Sequence, residues 1–227
     1  MTIQLDFHAV LARWPNFLGG AILTLELACF ATVLGALLGT LVAVGRGTHS
    51  ALITRLCKLY VEAIRNTPLL VQIFLVYFGL ASLGLKLTAF TVAVAALTIN
   101  VGAYTAEIMR AGFEAIPRGQ IEAAEGLALS RFQIYWHIIL LPAVERVYPA
   151  LTSQFVLLML ASSVCSQISA EELTAVANFI QSDTYRAFET YIIVAVLYVI
   201  LSLVMRAGFW GLGLLLFPRR RRLGIPL

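Results

Sequence analysis

The sequence predicts an all-α integral membrane protein with about five transmembrane helices, and three observations carry that reading. Of 227 residues, 60% are hydrophobic and only 12% are charged, about half the charged share usual in a soluble domain. The apolar residues fall into five runs, each long enough to cross roughly 30 Å of hydrocarbon as a helix. The basic residues gather beside alternate ends of those runs, as loops held on one side of a membrane do.

Taken in order, the first span covers 17–44. The residues before it lack a basic segment and include Asp6, and the run is too long for a signal peptide, so no cleavage is expected. The second span covers 59–85, with Glu62 and Arg65 one turn apart before Pro68 and read as a local ion pair. The third covers 87–109 and continues as helix through Glu107, Arg110 and Glu114, with Glu107 and Arg110 at ion-pair spacing. The fourth covers 147–168. A polar loop over 169–187 follows, with a short helix expected over 171–180. The fifth span covers 188–210; Arg206 interrupts it and is expected to snorkel toward the near surface. The whole chain, 1–227, reads as a single transmembrane domain.

Loop charge sets the orientation. Arg46, Arg55 and Lys58, then Arg110, Arg118, Arg131 and Arg146, then Arg219, Arg220, Arg221 and Arg222 lie on one side if there are five spans. That side is expected to be the cytoplasm, with the N-terminus outside. The terminal arginine run reads as an anchor on anionic lipid.

Several classes are disfavoured. The net charge of +4 does not point to nucleic acid, because the basic residues flank apolar runs. Cys29, Cys57 and Cys165 are scattered and read as small apolar fillers, with neither a disulfide framework nor a metal site expected. No histidine lies in a span, and Asp6 and Asp183 lie outside them, so a membrane enzyme has no catalytic constellation and no catalytic residue is assigned. No GxxxxGK[ST] run is present to bind ATP. The alternative, a secondary transporter or channel subunit, would need an ion relay, for which only Glu26 offers itself, and no inverted repeat is visible.

Polar groups within spans must find partners or face a wet cavity. Asn100 and Tyr104 in the third span and Gln154, Ser162 and Ser163 in the fourth are candidates for lining a substrate path. For the two serines, helix–helix hydrogen bonding is an equal alternative. Asn100 and Gln154 could hydrogen-bond the zwitterionic end of an amino acid. Glu26, the isolated acid of the first span, has three readings: attraction of a cationic substrate, contact with a partner subunit, or a position nearer the surface.

The segment 110–142 is too long and too patterned for a simple loop. Pro117 and Gly119 break the preceding helix, a short helix follows from Gln120 to Leu129, and Ser130 with Gln133 forms a capping box that opens another. The short helix sets Ala123, Ala124, Gly126 and Ala128 around Glu122 and Glu125, small residues that let another surface approach and carboxylates that can pair with it. The run Gly119-Gln120-Ile121-Glu122-Ala123-Ala124, with Ser130 and Leu141-Pro142 after it, resembles the EAA loop of ATP-binding-cassette importer permeases. Arg65-Asn66-Thr67-Pro68-Leu69-Leu70-Val71-Gln72, Ala103-Tyr104-Thr105-Ala106-Glu107-Ile108-Met109-Arg110 and Ser182-Asp183-Thr184-Tyr185 resemble the branch that carries polar and basic amino acids.

That resemblance implies a type I importer permease fold with a cytoplasmic coupling helix, in a bacterial inner membrane. Gly119, Glu122, Ala123, Ala124, Gly126 and Ala128 would carry the coupling. The implied partners are ATP-binding-cassette ATPase subunits, which would hold the ATP and Mg that this chain does not, a second copy or a related permease, a periplasmic amino-acid-binding protein, and lipid. The chain departs from the family pattern in three places. Ala128 stands where a glycine is usual, Pro142 is displaced by one with Leu141 in its place, and Leu160 or Ala161 replaces a polar residue of the fourth span.

Overall fold

The computed structural model describes residues 5–217. In chain order the helices are α1 (His8–Leu11), α2 (Trp14–Arg46), α3 (Ala51–Arg65), α4 (Leu69–Ser82), α5 (Ala89–Glu114) and α6 (Arg118–Gly126). They continue with α7 (Arg131–Gln133), a π-helical segment (Ile134–Leu140), α8 (Leu141–Ala161), a 3-10 segment (Ser162–Ile168), α9 (Leu173–Thr184) and α10 (Ala187–Leu216). Among the described residues four helices, or five if the bent pair α3–α4 is one span, are long and apolar enough to cross a membrane. The terminal run Arg219, Arg220, Arg221 and Arg222 lies outside the described residues.

α2 and α5 form the centre of the molecule, and small residues set their spacing. A Cβ added at Gly39 would lie 2.5 Å from Thr105 Cβ and 2.6 Å from the Gly102 carbonyl oxygen. Without a side chain there, the two backbones come together, the device membrane helices use where water gives no hydrophobic drive between them. Around this seam Leu27, Ala31, Ile73, Ala93, Leu97 and Val101 are fully buried, whereas α10 leaves most of its apolar length exposed, as a helix in lipid can.

The expected second span is two helices, not one. α3 and α4 meet at 111°, because Pro68 lacks a donor and drives Thr67 out of helical conformation. α3 then reaches back to α5, where Tyr60 donates to the Ile99 carbonyl at 2.7 Å. The expected fourth span is the second half of one long run from Arg131 to Ile168. That run passes through Pro142 in the first turn of α8 and Pro149 inside it. The π-helical segment lies immediately before Pro142, where a widened turn accommodates the carbonyls that proline leaves unpaired.

Ion pairs collect at the two ends of the molecule. At one end Arg13 pairs with Asp183 and Arg186 with Glu189 and Asp6. At the other lie Arg46, Arg65, Glu107, Arg110 and Glu114, beside α6.

Candidate functional site: an open helix beside a charged corner

α6 is shorter than the sequence reading, ending at Gly126 instead of continuing to Leu129. It starts at Arg118, with Pro117 at its N-cap in an extended conformation, and so includes Gly119. Its end is a Schellman closure: Ala128 N donates to Glu125 O at 2.9 Å and Leu129 N to Ala124 O at 3.2 Å. The residue that must be left-handed in that closure is Ala128, at φ 54°. A glycine takes this conformation freely, whereas a Cβ costs about 1 kcal/mol or more. The glycine that the resemblance leads one to expect here would have a conformational reason, and this chain keeps the turn without it.

Gly119, Glu122, Ala123, Gly126 and Ala128 are exposed, and Ala124 turns inward and is buried. Beyond the turn, the Ser130–Gln133 capping box forms as the sequence spacing predicts. It sets up an exposed aromatic pair, Phe132 stacked on Trp136 with ring centroids 6.3 Å apart. Leu127, at 76% exposure, completes an open surface of carboxylate, small and apolar groups.

Next to α6, α5 ends in a cluster of charges. Glu107 accepts from Arg46 at 2.6 Å and from Arg110 Nε at 2.9 Å, and Arg65 lies 3.9 Å away. Arg110 reaches on to Glu114. The ion pair expected between Arg65 and Glu62 is replaced: Arg65 turns to Glu107 and lies over the Tyr104 ring at 5.6 Å. One carboxylate thus joins α2, α3 and α5, around a cavity of about 400 Å³ that Lys58, Glu62 and Tyr104 also line. Arg146 closes the corner from α8 by donating to the Ala115 carbonyl at 2.6 Å, satisfying an orphan group past the end of α5.

The candidate path residues fall into different settings. Asn100 is buried and donates to Gln72 Oε1 at 2.9 Å, while Gln72 Nε2 donates to the carbonyls of Ile64 and Thr67 at 2.7 and 3.0 Å. Its amide therefore braces the α3–α4 break. Tyr104, one turn on, lines the charged cavity. Ser162 is fully buried and donates to the Met159 carbonyl at 2.7 Å; Ser163 donates to Leu160 at 2.8 Å. Both hydroxyls are thus engaged by their own helix. Gln154 is half-buried, and Glu26 is exposed on the face of α2 that carries Ile22 and Phe30.

Two residues escaped the sequence reading. Gln72 sits four residues after Pro68, in a run quoted for its resemblance alone. Glu172 is wholly buried and caps α9, accepting from Ala175 N at 2.8 Å, Thr174 N at 2.9 Å and the Tyr198 hydroxyl at 2.9 Å. Burial pushes its carboxyl above the ordinary carboxylate value, against the pull of those hydrogen bonds.

The chain is similar to known proteins over most of its length. The chain is 33% identical over 220 residues to the octopine transport system permease protein of Rhizobium radiobacter, covering 92% of this chain and 90% of that one. It is 37% identical over 196 residues to a probable glutamine ABC transporter permease protein of Bacillus subtilis, covering 86% and 91%. A solved amino acid ABC transporter with histidines is 38% identical, with TM-score 0.84 over 96% of this chain and 100% of that one. An inward-facing methionine ABC transporter, 19% identical with TM-score 0.70, shares the fold. Residues 31–209 match the family described as the binding-protein-dependent transport system inner membrane component, and the chain belongs to that family.

Proposed function

We propose that this member of the family forms half of the membrane pathway of an ATP-driven amino-acid importer. On this reading it pairs with a second copy or a related permease. A periplasmic binding protein delivers the solute at the Arg13–Asp183 end, and a separate ATPase, carrying ATP and Mg, docks at the α6 end. The N-terminus lies outside and the C-terminus in the cytoplasm. The chain itself catalyses no reaction.

The observation that carries this reading is α6, a short helix whose Glu122 and Ala123 are exposed while Ala124 anchors it. A partner seated there can push on two long helices at once, because α6 is joined directly to α5 and to the run from Arg131 to Ile168. The Glu107 cluster fits a tie that holds α2, α3 and α5 in one arrangement and has to yield in another, so that ligands on both faces shift a two-state balance. The relatives named for glutamine, octopine and nopaline favour a polar or basic amino acid or a derivative of one as the solute.

The test is uptake by vesicles holding the chain with its ATPase and binding-protein partners, using labelled histidine, glutamine and octopine. ATP-dependent uptake of at least one solute is expected, falling at least tenfold in Glu122→Lys while the chain stays folded. Uptake that is independent of ATP, or indifferent to Glu122→Lys, contradicts the reading.

A further inference from the structure

α10 carries one cation inside its apolar length, and the groove around that cation suits a phosphate with hydrocarbon attached. Arg206 lies ten residues before Leu216, roughly 15 Å along the helix axis. It is exposed, and no carboxylate of the described residues pairs with it. It stands between two hollows of the α8–α10 groove. One, about 200 Å³, is lined by Tyr148, Thr152, Ser153 and Trp210. The other, about 300 Å³, is lined by Leu160, Val199, Ser202 and Leu203.

The two hollows differ in chemistry. The first offers the Ser153 hydroxyl beside the guanidinium, since Tyr148 donates to the Phe209 carbonyl and Thr152 bonds Tyr148. Trp210, one turn beyond Arg206 and 62% exposed, is of the type that settles at headgroup depth. The second has an aliphatic wall, with Val199 and Leu203 about 60% exposed. A guanidinium beside the headgroup layer with no carboxylate partner among the described residues calls for an anion. Its planar fork matches phosphate oxygens. A free inorganic phosphate would satisfy the guanidinium but leave the aliphatic wall without a ligand. We propose that the groove between α8 and α10 binds an anionic phospholipid, its phosphodiester on Arg206 and the Ser153 hydroxyl, and an acyl chain along Val199, Leu203 and Leu160. This assignment needs that α10 crosses the membrane and that the α8–α10 groove faces lipid and not the second permease of the proposed importer, and it holds whatever solute is carried.

The experiment uses the purified transporter complex, delipidated in detergent and titrated with phosphatidylglycerol, phosphatidylcholine or inorganic phosphate. Readouts are thermal unfolding and native mass spectrometry. Phosphatidylglycerol is expected to raise the unfolding midpoint and to remain bound, with the other two doing neither. Arg206→Gln should weaken phosphatidylglycerol binding about tenfold or more, the loss of charge-assisted hydrogen bonds, without moving the lipid-free midpoint; Arg206→Lys should recover part of it. If Arg206→Gln does not fold, Ser153→Ala carries the same test. Replacing Arg219, Arg220, Arg221 and Arg222 by glutamine should leave the effect intact. Equal responses to the two lipids, equal responses of wild type and Arg206→Gln, or an equal response to phosphate alone would each overturn the proposal. So would loss of the effect with the terminal arginines, or efficient crosslinking of an Arg206→Cys variant to a second permease chain.

Discussion

α6 and α9 are both short helices that stop short of crossing the membrane, one at each end of the molecule, and they are held in opposite ways. α9 rests on α2 at Gly20, where an added Cβ would lie 2.9 Å from Val176 and 3.0 Å from the Leu173 backbone. Its first turn is fixed by the buried Glu172, and Thr24 accepts from Leu173 N at 3.1 Å. Every group at its N-terminal end is thus engaged within the chain. α6 has no side-chain cap, buries only Ala124, and ends on a left-handed alanine. The contrast is between a helix whose first turn is held inside the chain and one whose surface is left open.

The largest expected effect falls on α9. Glu172→Ala leaves two part-buried backbone donors without their acceptor and the Tyr198 hydroxyl with Thr174 alone, and a loss of roughly 2–3 kcal/mol is expected, read as a fall in unfolding midpoint in detergent. The same carboxyl gives a pH signature. Its folded pKa is raised, so its contribution is complete below the ordinary carboxyl value and is lost as pH climbs through the raised one. Wild type should therefore lose stability relative to Glu172→Gln as pH rises from about 5; parallel pH profiles would refute the buried cap.

Glycine substitutions sharpen the comparison. Gly20→Ala forces α9 away from α2 and should cost about 1–3 kcal/mol by overpacking. Gly119→Ala, with nothing within 4 Å of the new Cβ, should be neutral or stabilising by up to about 1 kcal/mol from helix propensity. Equal losses at the two sites would mean that α6 is packed after all. The smallest effect is expected at the end of α6. Ala128→Gly relieves the left-handed strain but frees the unfolded chain, for a net gain of about 0.5–1 kcal/mol in unfolding measurements. A loss would mean that Ala128 does not hold that turn.

The sequence announced α6 more clearly than α9. Pro117, the small residues around Glu122 and the Ser130–Gln133 spacing are local signals, and the capping box formed as spaced. The end of α6 is not legible in the sequence, because Leu127, Ala128 and Leu129 are good helix formers. The stop lies in the Schellman closure, which ordinarily shows itself by a glycine. The short helix in the 169–187 loop was legible as an element, but adjacent Glu171 and Glu172 cannot be told apart without knowing which one α10 covers. The α3–α4 bend was hidden because apolar residues continue on both sides of Pro68. Its brace, Asn100 on Gln72, joins positions 28 apart that no local spacing connects. Likewise, Arg65 had Glu62 one turn away in sequence, and only the fold brings Glu107 to it.

Amide hydrogen exchange, measured on the permease alone and with its ATPase subunit bound, tests the central claim that α6 is an open docking helix. Exchange reports local opening, which is easy where few buried contacts hold a helix. In the permease alone, amides of Arg118–Gly126 should exchange much faster than those of Leu173–Thr184, and ATPase binding should slow the first set at least tenfold while leaving the second unchanged. Equal protection of the two helices in the free permease, or no change in α6 on binding, would contradict the account.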